Sequence, residues 1–442
     1  MTGSTSSPAS GLADPTGPQL LRLPTEILDA ICEACSRVKV RNPAHPGLYV
    51  RHHVLLQLVQ TCSALRAVAQ PWLYRQPQLG WSENGMLSFL YVLVDRPDLG
   101  AHVRELSWHT KIIRQRQPQQ SLLVRIADRF NSDRPGEPPV LLPRRSRVAL
   151  PSTYEEDIMW QLLVRLAPRL TALTFASRCE MPMFIHHEPK LRYLESLTIK
   201  CDCTDMTPWT PSEPPRRLES CPIVRTLSIG SEARGGAFAS VSSDSVTRVD
   251  LSWETNSFHT LWDVCTGMPN LQSLRVVTPR TAGYPDFARA YSALQQCKDT
   301  LRELCLIISP RAIIGANDDL SRLADVARLD AFAVLEDLAL FTPIAWPWRI
   351  GLPAVSFLPR SLRRLSLNCD SDGILDWLFA LLGVATEQFP NLRTIAICGD
   401  EAMVDEVCRE ISSSKSTGQG EAIDIVKCHV YIPSLSSFGG HR

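Results

Sequence analysis

The chain lacks three short catalytic signatures. It contains no GxSxG elbow, no GxxxxGK[ST] phosphate loop and no HExxH motif. It also lacks net charge. Its 46 basic residues are balanced by 46 acidic ones, so bulk electrostatics draw it neither to nucleic acid nor to an anionic membrane. No apolar run is long enough to cross a bilayer. The most apolar stretch, Gly373 to Val384, is interrupted by Asp376 and reads as a buried helix. None of the eight asparagines begins an N-x-S/T sequon. The 14 cysteines follow no disulfide framework. Several stand inside repeated segments (Cys305, Cys369, Cys398), where free thiols behave as small apolar groups, and this points to a reducing compartment. Residues 1–18 have no apolar h-region and are rich in Ser, Thr, Gly and Pro, as expected for a disordered tail. The expectation is a soluble cytoplasmic and/or nuclear protein.

Groups that resemble metal or acid–base sites have simpler readings. Cys32 and Cys35 form a C-x-x-C inside a predicted helix, with no second pair at zinc spacing. Cys201 and Cys203 with His186 and His187 read as a loop that contains cysteine. Glu155, Glu156 and Asp157 suit the negatively charged start of a helix, because adjacent positions do not face one another. The sequence therefore predicts no catalytic residue, no metal and no cofactor.

What the chain does have is a phrase written ten times: apolar-x-x-apolar-x-apolar. Its clearest copies start at Leu194, Leu271, Leu301, Leu335 and Leu362, and weaker ones at Val103, Leu170, Val224, Val246 and Leu392. From Leu170 onward the starts are 22 to 34 residues apart. Such a period marks stacked units of one strand plus one return segment. In a strand, the second and third apolar positions of the phrase point the same way and the residues flanking them point the other way. Return segments with helical spacing precede several copies. Phe258, Leu261, Trp262 and Cys265 fall on one stripe, as do Phe287, Tyr291 and Leu294, and Ile374, Leu378 and Leu381. Met268-Pro269-Asn270-Leu271 and Phe389-Pro390-Asn391-Leu392 stand between helix and strand, where proline ends the helix. A final alternating run, Ala422 to Ile432, is predicted to close the sheet. Residues 433–442 read as a frayed end.

Ahead of the repeats, LLRLPTEILDAICEACS places Pro24 in a first helical turn and puts Ile27, Leu28 and Ile31 on one face. A polar stretch with two prolines and a glycine follows. A second apolar face begins at Val54 (Leu55, Leu58, Val59), and Pro71 is predicted to stop that helical region before Trp72, Leu73 and Tyr74. Met86 to Val94 reads as a further helix. Between the first and second phrases lies an insert at about 111–150, with nine Lys/Arg against Asp128, Asp133 and Glu137. Leu122 to Phe130 suits a helix. The rest reads as a loop, either a solvated one or a basic docking arm.

Residues 19–76 resemble the F-box. Leu23, Pro24, Glu26, Ile27, Leu28 and Ile31 match its Leu-Pro-x-Glu-Ile-Leu opening, and Leu58, Cys62, Leu65, Ala69, Pro71 and Tyr74 match its close. Residues 77–432 resemble the irregular leucine-rich repeats of fungal-type F-box proteins. The resemblance implies an α/β fold: a helical F-box, then a leucine-rich-repeat solenoid with a parallel β-sheet on its concave face and helices on its convex face. It further implies a non-catalytic substrate-receptor subunit of a cullin-type (SCF) ubiquitin ligase. Leu23, Pro24, Ile27, Leu28, Ile31 and Leu58 would bind a Skp-type adaptor and the repeats would hold a protein substrate. The phrase's third and fifth residues form a mixed row suited to polar recognition, and its charged members in the middle repeats are Arg248, Asp250, Arg275, Glu303, Asp337 and Arg364. An alternative stays open, in which the repeats form an interaction scaffold, the first helices only cap it, and there is no ligase role.

Overall fold

A computed structural model describes residues 23–37, 39–42, 45–51, 53–77, 79, 83–109, 118–137, 139–140, 152–177, 191–201, 216–218, 221–231, 241–253, 258–278, 292–308, 329–341, 353–368, 374–399, 401–415 and 423–427. Every one of the ten phrases becomes a strand of one parallel sheet. The strands are β3 (Glu105–His109), β4 (Ala172–Ser177), β5 (Ser196–Cys201), β7 (Thr226–Ser231), β9 (Arg248–Trp253), β10 (Ser273–Thr278), β11 (Glu303–Ile308), β12 (Asp337–Phe341), β13 (Arg364–Asn368) and β14 (Thr394–Cys398). β15 (Asp424–Lys427) pairs in parallel with β14 and makes eleven. The spatial order β3-β4-β5-β7-β9-β10-β11-β12-β13-β14-β15 follows the chain order, so each unit lies on the one before it. β6 (Arg216–Arg217) and β8 (Val241–Ser242) form a separate two-stranded ladder.

The register follows from the phrase. Leu274 pairs with Leu304 and Val249, and Val276 with Leu306 and Leu251, so like positions stack through the sheet. These apolar side chains form one continuous core, from Met86 through Leu251 to Ile411. The helices cover the same face. They are α4 (Glu83–Asp95), α5 (Pro97–Gly100), α6 (Pro118–Asp133), α7 (Ser152–Leu166), α8 (Phe258–Gly267), α9 (Ala354–Phe357), α10 (Ile374–Gln388) and α11 (Glu401–Lys415). Trp160 of α7 is fully buried and meets Phe175 of β4 edge to face, with ring centroids 4.9 Å apart. Leu261 and Cys265 of α8, and Ile374, Leu378 and Leu381 of α10, are buried as the helical stripes predict. Phe287 and Tyr291 lie outside the described residues.

One hydrogen-bonding step joins each unit to the next. The carbonyl of the phrase's second residue accepts the N–H groups of the second and third residues of the following phrase. Arg104 O accepts from Thr171 and Ala172, Thr247 O from Gln272 and Ser273, and Arg302 O from Glu336 and Asp337. Before most strands the chain turns, and the N–H of the phrase's first residue donates three residues back, as in Leu271 to Met268 O and Leu392 to Phe389 O. The Pro-Asn phrase also ties neighbouring units together. Asn270 Nδ2 donates to Asp244 O at 2.8 Å and Asn391 Nδ2 to Arg360 O at 3.4 Å.

The first helices pack as a small unit with its own core. α1 (Thr25–Arg37), α2 (His53–Thr61) and α3 (Ser63–Arg75) meet at Cys32, Leu55 and Ala69, with Cys35, Leu58, Val59, Val68, Trp72 and Leu73 around them. Two expectations are corrected here. The polar stretch after α1 is an antiparallel hairpin, β1 (Lys39–Asn42) with β2 (His45–Arg51). Pro71 does not stop its helix, because α3 runs through it to Arg75. Packing of Trp72 and Leu73 on the small core, and of Tyr74 on the main one, outweighs the hydrogen bond that proline removes. The helix breaks instead at Cys62, whose extended backbone separates α2 from α3. Residues 1–18 and 433–442 lie outside the described residues, and the predicted strand from Ala422 to Ile432 is described only at 423–427.

Leu251 is fully buried at the centre of the sheet, while Arg248 on the opposite face is exposed. Leu251→Ala should cost about 2–5 kcal/mol in denaturant unfolding, and Arg248→Ala within about 0.5 kcal/mol. Gly100 in α5 meets the last turn of α7 so closely that an added Cβ would lie 1.8 Å from Leu166 O. Gly100→Ala should therefore destabilise by about 1–3 kcal/mol, read as a lowered unfolding midpoint.

Candidate functional site

Two surfaces carry the residues expected to bind partners. The first is α1 and its surroundings. Pro24 O accepts the N–H groups of Ile27 at 3.0 Å and Leu28 at 3.1 Å, which starts the helix immediately after the proline. Helical spacing then splits the apolar residues. Leu28 is buried in the chain itself, so in this conformation it is not offered to a partner. Leu23 and Ile27 are 37% and 48% exposed, and Pro24 is exposed beside them. Ile31 is half-buried, and Leu58 packs on the small helical core while remaining half-buried. Val54 and Leu56 of α2 are exposed as well. The sequence reading missed these two because the stripe it followed there was the buried one. Asp29, also on α1, accepts the Trp72 indole N–H at 2.6 Å and so locks α1 to α3.

The second surface is the sheet face opposite the helices. The six charged residues expected there come together on five consecutive strands, β9 to β13. Arg248, Ser273, Glu303, Asp337 and Arg364 stand side by side in one register row, and Asp250 and Arg275 in the next. Glu303 Oε2 accepts from Ser273 Oγ at 2.7 Å and from Arg248 Nη2 at 3.4 Å. Asp250 Oδ2 accepts from Ser228 Oγ at 3.4 Å. Glu303 and Asp337 are direct cross-strand neighbours of like charge. Partial burial first, then Glu303, raise the Asp337 carboxyl above its ordinary value, and Arg364 pulls it back. No ion pair within contact distance includes Asp337 among the described residues. At the strand entrances, Glu336 bridges two neighbours, with Arg302 Nη1 at 3.0 Å and Arg363 Nη1 at 3.2 Å.

The face is less open than the row implies. The fifth-position residues Ser366 and Ala396 are buried. One step further along the strands, Ile307, Phe341 and Cys398 form an apolar strip with Val277, Cys305 and Ala339 against it. Asn368 lies in the same register row, 5% exposed, and its Oδ1 accepts no hydrogen bond among the described residues. The signal was present in the sequence, one residue beyond the six-residue phrase. Burial raises the Cys305 thiol, while the Arg275 guanidinium hydrogen-bonded to it lowers it.

The basic insert is partly described. Its predicted helix lies in α6, where Arg129, and just beyond it Arg134, are spent inside the chain while Arg125 is exposed. Arg129 pairs with Asp95 at 2.6 Å and donates to Tyr91 Oη at 2.8 Å, and Arg134 pairs with Glu137 at 3.0 Å over the Phe130 ring. Residues 111–117 and 141–150 lie outside the described residues, as do Cys203, His186 and His187. Among the described residues no cluster of His, Cys, Asp or Glu could hold a metal ion, and no helix is long and apolar enough to cross a membrane. Cys32 of the C-x-x-C is a core residue, its thiol raised mainly by burial.

The like-charge pair makes a pH test. A raised Asp337 carboxyl destabilises the folded chain once it ionises, so stability from this group is present in acid and lost as pH rises through its folded value. Asp337→Asn should therefore be slightly more stable than the native chain at pH 7, by less than about 1 kcal/mol for so exposed a group. That advantage should vanish as pH falls below about 4, measured by urea unfolding across pH.

The chain matches no protein-family profile and no curated protein.

Proposed function

We propose that the chain is a non-catalytic substrate receptor of a cullin-type ubiquitin ligase, built from an F-box unit and leucine-rich repeats. The observation that carries this reading is the division of labour on α1. Cys32 belongs to the small helical core and Leu28 is buried, while Leu23, Pro24 and Ile27 stay at the surface, on the segment that resembles the adaptor-binding opening of an F-box. An apolar helix face left in water is costly by about 25 cal/mol per Å², and contact with a partner removes that cost. The eleven-stranded parallel sheet supports the repeat reading, and its charged row from Arg248 to Arg364 supplies a polar surface for a protein substrate. The ligase role would be proximity, with a substrate lysine brought near a conjugating enzyme held elsewhere in the complex.

One observation favours the alternative, a repeat scaffold capped by its first helices. Arg75 O, at the end of α3, accepts the N–H of Arg104 at 2.9 Å. That is the same step by which each repeat receives the next. Tyr74 also stacks on Phe89, with ring centroids 6.2 Å apart. The helical unit is thus keyed into the sheet.

Co-purification with a Skp-type adaptor separates the two readings. The native chain should capture the adaptor. Leu23→Asp with Ile27→Asp should lower capture more than about tenfold and leave the thermal unfolding of the repeats unchanged. Absence of capture by the native chain would sink the ligase reading. Unfolding of the repeats on deletion of residues 1–76, without adaptor capture, would favour the scaffold.

A further inference from the structure

The turn before each strand has an outer corner, the residue just ahead of the phrase. In four of the later repeats that corner ties units together. Ser245 Oγ donates to Val224 O at 3.0 Å and Ser361 Oγ to Leu335 O at 2.8 Å. Asn270 and Asn391 do the same with their amides. In three consecutive early repeats the corner is held instead by Arg169, Tyr193 and Ile223. None of these side chains makes such a tie among the described residues. Arg169 is exposed, Tyr193 is 56% exposed and Ile223 is 39% exposed.

Beside Arg169 lies a cation that the fold holds rigidly. Arg104 Nη1 donates to Ala101 O at 2.9 Å, Val103 O at 3.3 Å and Arg169 O at 3.4 Å. Its Nε and Nη2 have no acceptor among the described residues. Arg75 adjoins it through the main chain, and its own guanidinium lies 4.8 Å from the centroid of the Trp72 ring. Partial burial, then the Arg169 and Arg75 cations, push the Arg104 guanidinium below its ordinary value. No carboxylate pairs with Arg75, Arg104 or Arg169 among the described residues. Three like charges from α3, the entrance to β3 and the turn before β4 are therefore gathered with no carboxylate paired to them among the described residues. A guanidinium fixed at one nitrogen and free along its other edge is prepared for two-point contact with an anion.

We propose that this rim, from Arg75, Arg104 and Arg169 to Tyr193 and Ile223, binds an extended acidic segment of a protein partner. An anionic side chain of that segment sits on Arg104 and Arg169, and an apolar one on Tyr193 and Ile223. Neighbouring strands lie about 4.8 Å apart, so Arg169 and Ile223 are about 10 Å apart, which an extended chain covers in about three residues. A free phosphate would make no use of the exposed tyrosine and isoleucine. A nucleic-acid backbone would meet the exposed Glu195 between the arginine cluster and Arg225. The segment is thus a peptide with an acidic residue about three positions from an aliphatic or aromatic one. This goes beyond the adaptor reading and does not depend on it.

The test uses the full chain and a positional-scanning library of acetylated dodecapeptides, read by fluorescence anisotropy. Selection of Asp, Glu or phosphoserine about three positions from Leu, Ile or Phe is expected, with binding that weakens steeply as salt rises. Arg169→Glu should weaken the best peptide about tenfold or more and abolish the acidic preference. Tyr193→Ser with Ile223→Ser should abolish the apolar preference and retain the acidic one. Because Arg169 and Tyr193 are exposed, unchanged thermal unfolding is expected for both variants. Absence of acidic selection, or acidic selection intact in Arg169→Glu, overturns the proposal. So does tighter binding of inorganic phosphate or polyuridylate than of any peptide. Skp-type adaptor capture should be untouched by Arg169→Glu; its loss would assign the rim to the adaptor and overturn a separate partner.

Discussion

The fold depends on one short step repeated through the sheet, a carbonyl that takes two N–H groups from the next repeat. Thr171 O serves Glu195 and Ser196, Gln272 O serves Arg302 and Glu303, and Arg363 O serves Arg393 and Thr394. Because side chains alternate along a strand, a slip of one residue would turn every buried leucine toward the other face. Doubling the bond at the strand entrance fixes the register where an error would be most costly. The buried pairs Ile229–Leu251 and Leu304–Leu338 then stack without further instruction. Return segments of different lengths are tolerated, because the register is set at the entrance and not by the connection, and longer connections add little closure entropy.

This arrangement leaves three sets of positions unconstrained: the outer face, the seventh position counted from the start of each phrase and the corner of each turn. They have diverged along the stack. On the outer face, two adjacent carboxylates, Glu303 and Asp337, stand between Arg248 and Arg364. At the seventh position the late strands bury Ile307, Phe341 and Cys398, while Lys200 and Ser252 of the early strands are exposed. At the corners the late repeats spend Ser245, Asn270, Ser361 and Asn391 on hydrogen bonds between units, while the early ones expose Arg169, Tyr193 and Ile223. The two halves of one sheet therefore present different chemistry on the same frame.

The frame was legible because its signal is periodic. Apolar residues two apart, recurring at 22 to 34 residues, have few physical realisations, and all ten copies are strands. The six charged residues of the outer face were legible for the same reason, since register brings together what the phrase aligns. What escaped was decided by tertiary contact. Pro71 reads locally as a helix stop, yet the burial of its neighbours carries α3 past it. Val54 and Leu56 read as part of an apolar helix, and only the packing of Leu55 inward shows which way they point. The cluster of Arg75, Arg104 and Arg169 spans 94 positions of the chain, and no local pattern announces it.

The junction of helices and sheet carries two demands that separate by direction. A parallel sheet leaves an open edge at its first strand, and an unpaired edge invites association with another chain. Part of that edge is occupied here, because Arg75 O takes the N–H of Arg104 as a preceding repeat would. At the far end, Lys427 of the last described strand pairs with Asp405 of α11. The helical unit closes the first edge with the end of α3 and fills its own core with Leu55, Ala69 and Cys32. The outer side of α1 is required for neither task. Leu23 and Ile27 stay apolar and exposed, so the core-forming and the solvent-facing residues of this segment are separated by direction alone.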